Sequence, residues 1–66
     1  MDYKIIKERR VLLGLTQQDF ADYTGLSLRF IKSVETGKGN PSIGSLEKIA
    51  HALGLEIVIR VKENNV

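Results

Sequence analysis

The sequence predicts an all-α fold, with four short helices that are followed by a single β-strand. Three observations support this fold class. Apolar residues recur at helical spacing as far as Leu53, glycines follow the predicted helices, and apolar and polar residues alternate after Gly54. The 66 residues suffice for one domain with a small hydrophobic core.

The composition limits the classes of function. The chain has no cysteine and one histidine, His51, so we expect no disulfide, no metal site and no cofactor. Metalloprotease and nucleophile-elbow motifs are absent, and we expect no enzymatic activity. The first ten residues do not read as a signal peptide, and no apolar run reaches the length of a membrane span. The net charge of +2 weakly indicates a polyanionic partner.

The first helix is predicted to run from about Asp2 to Leu13. Ile6, Arg10 and Leu13 follow the spacing i, i+4, i+7, which places them on one face of a helix. Gly14 follows as a typical residue beyond a helix C-terminus. This pattern therefore places Arg10 on the inward face, among apolar residues.

The second helix is predicted from about Gln17 to Thr24. Thr16 is a good N-cap, and Asp19 stands near the capping-box position three residues later. Gly25 ends the helix and belongs to a three-residue turn that leads into the next helix. This spacing is typical of a helix-turn-helix unit, whose second helix enters the major groove of DNA.

The third helix is predicted from Ser27 to Thr36. A helical wheel places Phe30, Ile31 and Val34, together with Ser27, on an inward arc. The outward arc consists of Leu28, Arg29, Lys32 and Ser33. Such a face suits base reading, since arginine can donate two hydrogen bonds to guanine and an aliphatic group can contact a thymine methyl. The alternative is a solvated face, which the wheel alone favours, but the helix-turn-helix spacing supports base reading.

The fourth helix is predicted from about Ile43 to Leu53. Ser42 is its N-cap and Gly54 closes it. Between these ends, an apolar stripe follows the spacing i, i+3, i+4, i+7 and comprises Leu46, Ile49, Ala50 and Leu53.

In the segment Glu56 to Lys62, one face would carry Ile57, Ile59 and Val61 and the other Glu56, Val58, Arg60 and Lys62. This period of two, with its β-branched residues, predicts a strand. A lone strand leaves its backbone groups unpaired, so we expect antiparallel pairing with a second copy across a two-fold axis. The expected dimer interface consists of Ile57, Val58, Ile59 and Val61. The alternative is a strand that folds over its own helices or is disordered. Residues 1–54 would then form the DNA-binding domain, and residues 55–66 the dimerising strand and tail.

The segment from Leu15 to Gly54 resembles the Cro/cI-type (XRE) helix-turn-helix family, and the resemblance extends from about Ile6. The matching positions are Leu15, Gln17, Ala21, Gly25, Ser27, Ile31, Val34, Glu35, Gly37, Pro41, Leu46, Ile49, Ala50, Leu53 and Gly54. The resemblance implies a compact four- to five-helix, lambda-repressor-like DNA-binding domain. It implies a sequence-specific transcriptional regulator with Ser27–Thr36 as the recognition helix. Together with the predicted strand pairing, we expect a dimeric repressor of a pseudo-palindromic operator.

The resemblance also implies roles for individual residues. The expected base-facing residues are Ser27, Leu28, Arg29, Lys32 and Ser33. The phosphate contacts that it implies are Gln17, Lys38 and Asn40. Thr16 is a further expected phosphate contact, because Thr16 and Gln17 begin a helix whose free N–H groups attract anions. Arg10 and Glu35 occupy positions of a structural ion pair. Leu28 and Arg29 replace the polar pair of some phage repressors, so operator sequences cannot be transferred.

A strand after such a domain resembles the HipB-like antitoxins. This second resemblance implies an alternative function, in which the protein neutralises a kinase-like (HipA-type) toxin by direct binding and represses its own gene. The expected partners are double-stranded DNA, a second copy of the chain and, for the alternative, a toxin. No membrane contact is expected, and the expected location is a bacterial-type cytoplasm, in association with the nucleoid.

Overall fold

A computed structural model of the chain describes residues 3–62. These residues form four α-helices, α1 (Lys4–Leu12), α2 (Gln17–Thr24), α3 (Leu28–Glu35) and α4 (Ile43–Leu53). The prediction of a helical domain is confirmed, and the bounds of α2, α3 and α4 lie within one residue of those predicted. Asp2, where the first helix was predicted to begin, lies outside the described residues. Within the described range, no helix has the length and apolar character needed to cross a membrane.

Side-chain caps determine where three of the helices begin. The Thr16 hydroxyl accepts a hydrogen bond from the Asp19 N–H at 2.9 Å, and the Asp19 carboxylate accepts one from the Thr16 N–H at 2.9 Å. This capping box lowers the pKa of Asp19, because hydrogen bonds from the Thr16 backbone and hydroxyl favour the ionised carboxylate. Ser27 and Ser42 cap α3 and α4 through the N–H three residues later.

The core lies where the four helices meet. Phe20 of α2 is its largest residue and is fully buried, and α2 packs against both α3 and α4. Burial of such a side chain contributes about 1.5–3 kcal/mol, a large share of the stability of a small domain. The buried apolar cluster consists of Ile6, Phe20, Ala21, Ile31, Val34, Ile49 and Leu53.

The turn between α2 and α3 depends on Gly25 and Thr24. Gly25 has φ 73°, in the left-handed region, and its N–H donates to the Ala21 carbonyl at 2.9 Å. The Thr24 hydroxyl donates to the Phe20 carbonyl at 2.9 Å and accepts from the Leu26 N–H at 3.2 Å. These bonds fix the direction in which the chain enters α3, and hence the angle between the two helices.

The strand predicted over Glu56–Lys62 is not formed within the described residues, where this segment is irregular. It passes α4, and Ile57 and Ile59 line a shallow groove together with residues of that helix. A strand requires a neighbouring strand to accept and donate ladder hydrogen bonds, and the described chain offers only helices. The predicted loose tail, residues 63–66, lies outside the described residues.

Candidate nucleic-acid interface

The helix α3 has one buried face and one exposed polar face. Ile31 and Val34 have 1% and 0% of their surface exposed, whereas Arg29 and Lys32 are exposed. Because the buried pair fixes the rotation of the helix about its axis, the two cations point away from the core. The arrangement leaves both side chains free to meet a large anionic surface.

Two apolar residues of α3 differ from the helical-wheel prediction. Leu28 was predicted on the outward face, but it is half-buried and packs against the core cluster. Phe30 was predicted to be buried, but it is also only half-buried. Helical side chains point towards the N-terminus, so residues in the first turn cover the chain that precedes the helix. Leu28 can therefore offer only part of its surface to a base.

Both serines of the predicted base-facing set already form hydrogen bonds within the domain. The Ser27 Oγ accepts from the Phe30 N–H at 3.0 Å, which leaves its hydroxyl proton to donate elsewhere. Ser33 is half-buried, and its Oγ donates to the Phe30 carbonyl at 2.8 Å. A Cβ on Gly39 would lie 2.9 Å from this oxygen, so the loop after α3 packs closely over Ser33. Ser33 is therefore less accessible than the wheel predicts.

The four predicted phosphate contacts lie in two places, at the start of α2 and in the loop between α3 and α4. Thr16, Lys38 and Asn40 are exposed, and Gln17 is half-buried. The N–H groups of Lys38 and Gly39 both donate to the Ser33 carbonyl at 3.0 Å, which holds the loop against the end of α3. The start of α2 adds N–H groups without intrahelical acceptors and the positive end of a helix dipole.

A buried ion pair joins α1 to α3. The Arg10 Nε and Nη2 atoms donate to the two carboxylate oxygens of Glu35 at 2.6 and 3.0 Å, and the side chains are 10% and 3% exposed. Arg10 Nη1 also donates to the Leu15 carbonyl at 2.8 Å. Gln17 Nε2 donates to Glu35 Oε1 at 3.1 Å. No sequence pattern predicts this last contact, which links the start of α2 to the end of α3.

The neighbouring Arg9 also has a partner that sequence reasoning missed. Its Nε and Nη2 atoms donate to the carbonyl oxygen of Leu53 at 3.2 and 3.0 Å. That oxygen lies at the C-terminus of α4, where helix carbonyls lack intrahelical donors. Arg9 is thus used to close a helix, although its charge contributes to the basic character of the chain.

The four residues predicted to form a dimer interface are all exposed. Ile57 and Val58 expose 41% and 57% of their surface, and Ile59 and Val61 expose 89% and 94%. Within residues 3–62 there is no cluster of three or more side chains that could hold a metal ion.

Comparisons with known proteins give one family model and several relatives. Residues 6–59 match the model described as Helix-turn-helix. The chain is 40% identical over 52 residues to an uncharacterized HTH-type transcriptional regulator of Methanothermobacter thermautotrophicus, covering 79% of this chain and 75% of the relative. No solved structure gives a significant match.

Two relatives carry the word repressor in their names. The chain is 43% identical over 56 residues to the cryptic phage CTXphi transcriptional repressor RstR of Vibrio cholerae, covering 79% of this chain and 50% of the relative. It is 37% identical over 59 residues to the immunity repressor protein of Bacillus phage phi105, covering 89% of this chain and 38% of the relative. The chain thus spans half or less of the length of these two repressors.

Proposed function

This chain belongs to the XRE-type helix-turn-helix family of DNA-binding transcriptional regulators, and we propose that it represses transcription as a homodimer on a pseudo-palindromic operator. The observation that carries the proposal is the exposed polar face of α3, where Arg29 and Lys32 stand opposite the buried Ile31 and Val34. The names of two relatives support repression as the direction of control. Operator binding would place the protein at the nucleoid of a bacterial-type cytoplasm.

Arg29 is the proposed main base-reading residue. It is exposed in the first turn of α3, and the N-terminal residues of a recognition helix contact base edges. Its guanidinium can donate two hydrogen bonds to the O6 and N7 atoms of guanine. Lys32 extends the same face, Leu28 offers its exposed part to a thymine methyl, and Ser27 has a hydroxyl proton to donate. Ser33 contributes least, because its proton is bonded within α3.

Backbone contacts are proposed for the start of α2 and for the loop after α3. Thr16 and Gln17 stand where the free N–H groups and dipole of α2 attract a phosphate. Lys38 and Asn40 are exposed beyond the end of the recognition helix. Contacts of this kind fix the register of the protein on the duplex and do not distinguish sequences.

Dimerisation is proposed for residues 55–66, with residues 1–54 as the DNA-binding domain. In an antiparallel register centred on Ile59, Ile57 faces Val61 and Glu56 faces Lys62 of the other copy. Apolar residues then share one face, and the terminal charges have opposite signs. If the register shifted by one residue, apolar side chains of one strand would face charged side chains of the other. A register centred on Val58 would keep apolar residues opposite apolar residues, but it would pair Glu56 with Arg60.

Selection of bound sequences from a random pool of duplex DNA tests this function. We expect one enriched pseudo-palindrome, with an affinity that falls steeply as the salt concentration rises. Sedimentation of the free chain should give a dimer at the concentrations that saturate this site. Enrichment of no sequence would contradict specific binding, and enrichment of a single unrepeated half-site would contradict the dimer.

The second candidate function is that of a HipB-like antitoxin that neutralises a kinase-like (HipA-type) toxin and represses its own gene. The exposed apolar residues of the C-terminal segment favour a protein contact of some kind, and a toxin could fill that role. A kinase-like gene next to this one, whose product binds the purified chain, would support this candidate. If a second copy of the chain covered all the exposed apolar residues of the C-terminal segment, this would count against the antitoxin function.

A further inference from the structure

The contact between Gln17 and Glu35 connects the exposed start of α2 to the buried ion pair. Gln17 Nε2 donates to Glu35 Oε1 at 3.1 Å, and the same oxygen accepts from Arg10 Nη2 at 3.0 Å. The other carboxylate oxygen accepts from Arg10 Nε at 2.6 Å. Because the Glu35 side chain is only 3% exposed, these bonds hold it in one place. The orientation of the Gln17 amide is therefore set by the interior of the domain.

We propose that Glu35 is a positioning residue for the contact between Gln17 and the DNA backbone. A primary amide carries two N–H hydrogens, of which Glu35 takes one, and the second is left for a phosphate oxygen. The side chain is ordered before DNA arrives, so less conformational freedom is lost on binding. The inference rests on the proposed function, because it requires Gln17 to contact phosphate.

Arg10 allows the Glu35 carboxylate to position Gln17 close to DNA without repelling the phosphates. An unpaired carboxylate beside the start of α2 would repel phosphate. The guanidinium of Arg10 binds both oxygens of Glu35, so the pair has no net charge and keeps its strong hydrogen bonds inside the domain. The pair therefore joins α1 to α3 and also orients Gln17 without adding negative charge to the DNA-facing side.

The contact between Glu35 and Gln17 is also compatible with the opposite effect on DNA binding. Glu35 could hold the Gln17 amide back from DNA, in which case the removal of Glu35 would strengthen binding. The Gln17 side chain is half-buried but stands at the first position of α2, where phosphates are attracted. An amide held at the first position of α2 is beside the N–H groups that attract the expected anion, and this favours positioning.

The test is a double-mutant cycle on the full chain. Removal of Glu35 alone would leave the charge of Arg10 buried and unpaired, so the principal variant is Arg10→Met/Glu35→Met, which replaces the pair with apolar groups of similar volume. Gln17→Ala and the triple variant complete the cycle. Glu35→Gln keeps an oxygen acceptor for the Gln17 amide, but it also leaves the Arg10 charge without a carboxylate, so its stability is measured beside its affinity. Gln18→Ala is the matched control, since the Gln18 amide donates to Asp22 at 2.9 Å instead.

The readouts are the affinity for the enriched operator, the urea midpoint, and the NMR signals of the Gln17 side-chain amide. All affinities are compared at a temperature where urea curves show each variant to be folded. We expect Gln17→Ala to weaken binding about 10-fold for each half-site, as for one hydrogen bond to a charged group. Replacement of the pair should weaken binding similarly and shift the Gln17 amide signals. Addition of Gln17→Ala should then cost less than about 2-fold.

Glu35→Gln should retain most of the affinity, and Gln18→Ala should retain all of it. The positioning role would be overturned if the losses of affinity from Gln17→Ala and from the pair replacement multiplied independently in the triple variant. It would also be overturned if the pair replacement left binding unchanged or made it tighter. In those cases the wild-type chain still binds its operator, and the proposed function stands. Failure of the wild-type chain to bind any enriched DNA would instead overturn the proposed function itself.

Discussion

Arg9 donates two hydrogen bonds to the carbonyl oxygen of Leu53, forty-four residues later in the chain. The guanidinium thereby closes the C-terminal end of α4 from the side of α1. Gly54, the next residue, has φ 68°, and a Cβ there would lie 3.3 Å from Arg9 Nη2. The end of α4, the arginine and the glycine thus form one closely packed unit, which helps to hold α1 against α4.

Arg9→Met should lower the free energy of unfolding by about 1–2 kcal/mol, because it leaves the Leu53 carbonyl without its donor and removes a cation from the negative end of the helix dipole. Urea unfolding at neutral pH measures the change. Operator affinity should stay within about 2-fold in the folded protein, since this guanidinium is already bonded inside the domain. Weaker DNA binding with unchanged stability would mean that Arg9 serves DNA and not α4.

Arg29→Ala should cost about 1–3 kcal/mol for each half-site of the enriched operator and relax the preference at one base pair in each half-site. A panel of operators with single base-pair substitutions, titrated at constant salt, measures both effects. The matched control is Lys48→Ala, an exposed cation on α4. An equal loss on operator and random DNA would reassign Arg29 to a phosphate contact.

A chain that ends at Leu55 should be monomeric. Leu55 is kept because it packs against the core cluster, whereas Ile59 and Val61 are almost fully exposed. Sedimentation equilibrium measures the mass, and circular dichroism checks that the helices remain. A truncated chain that stays dimeric would exclude pairing through this segment.

The charges at the ends of the same segment test its register. Glu56→Lys and Lys62→Glu should each weaken the dimer, because each places like charges opposite one another in the register centred on Ile59. The double variant should recover the wild-type dissociation constant. Recovery by Glu56→Arg/Arg60→Glu, but not by the first double variant, would point to the register centred on Val58.

At acid pH, protonation of Asp19 should destabilise the N-terminus of α2. The pKa of this carboxyl is lowered from 3.8 by hydrogen bonds from Thr16, so its contribution to stability is present above about pH 4 and is lost as the pH falls through the lowered value. Asp19→Asn keeps an oxygen acceptor without this titration. As the pH is lowered from 6 to 2, the urea midpoint should therefore fall less steeply for the variant than for the wild type. Parallel curves would show that other carboxyl groups cause the acid sensitivity.

The helices were predictable because their signals are local. Thr16, Ser27 and Ser42 each cap a helix within three residues of their own position, and Gly25 and Gly54 adopt the left-handed conformation expected just beyond a helix. The family could also be predicted, since many spaced residues carry its pattern over most of the chain. Such features need no information about which helices meet.

Other features could not be predicted from the sequence, because they depend on packing between distant segments of the chain. The helical wheel treats α3 as isolated, so it could not predict that Leu28 packs against the core or that the loop at Gly39 covers Ser33. The partners of Arg9 and Gln17 are set by how the helices pack, and no spacing rule predicts them. The strand was predicted from a correct alternation, but a ladder requires a second strand.

The division of α3 into an anchoring face and an outward face has an evolutionary consequence. Arg29 and Lys32 can be exchanged with little effect on the core, because Ile31 and Val34 hold the helix independently of them. Position 33 lacks this freedom, since a larger side chain would meet the backbone at Gly39. Under the proposed base-reading role of Arg29 and Lys32, new operator preferences should therefore arise through substitutions at positions 29 and 32, and chains that differ in target can keep the same scaffold.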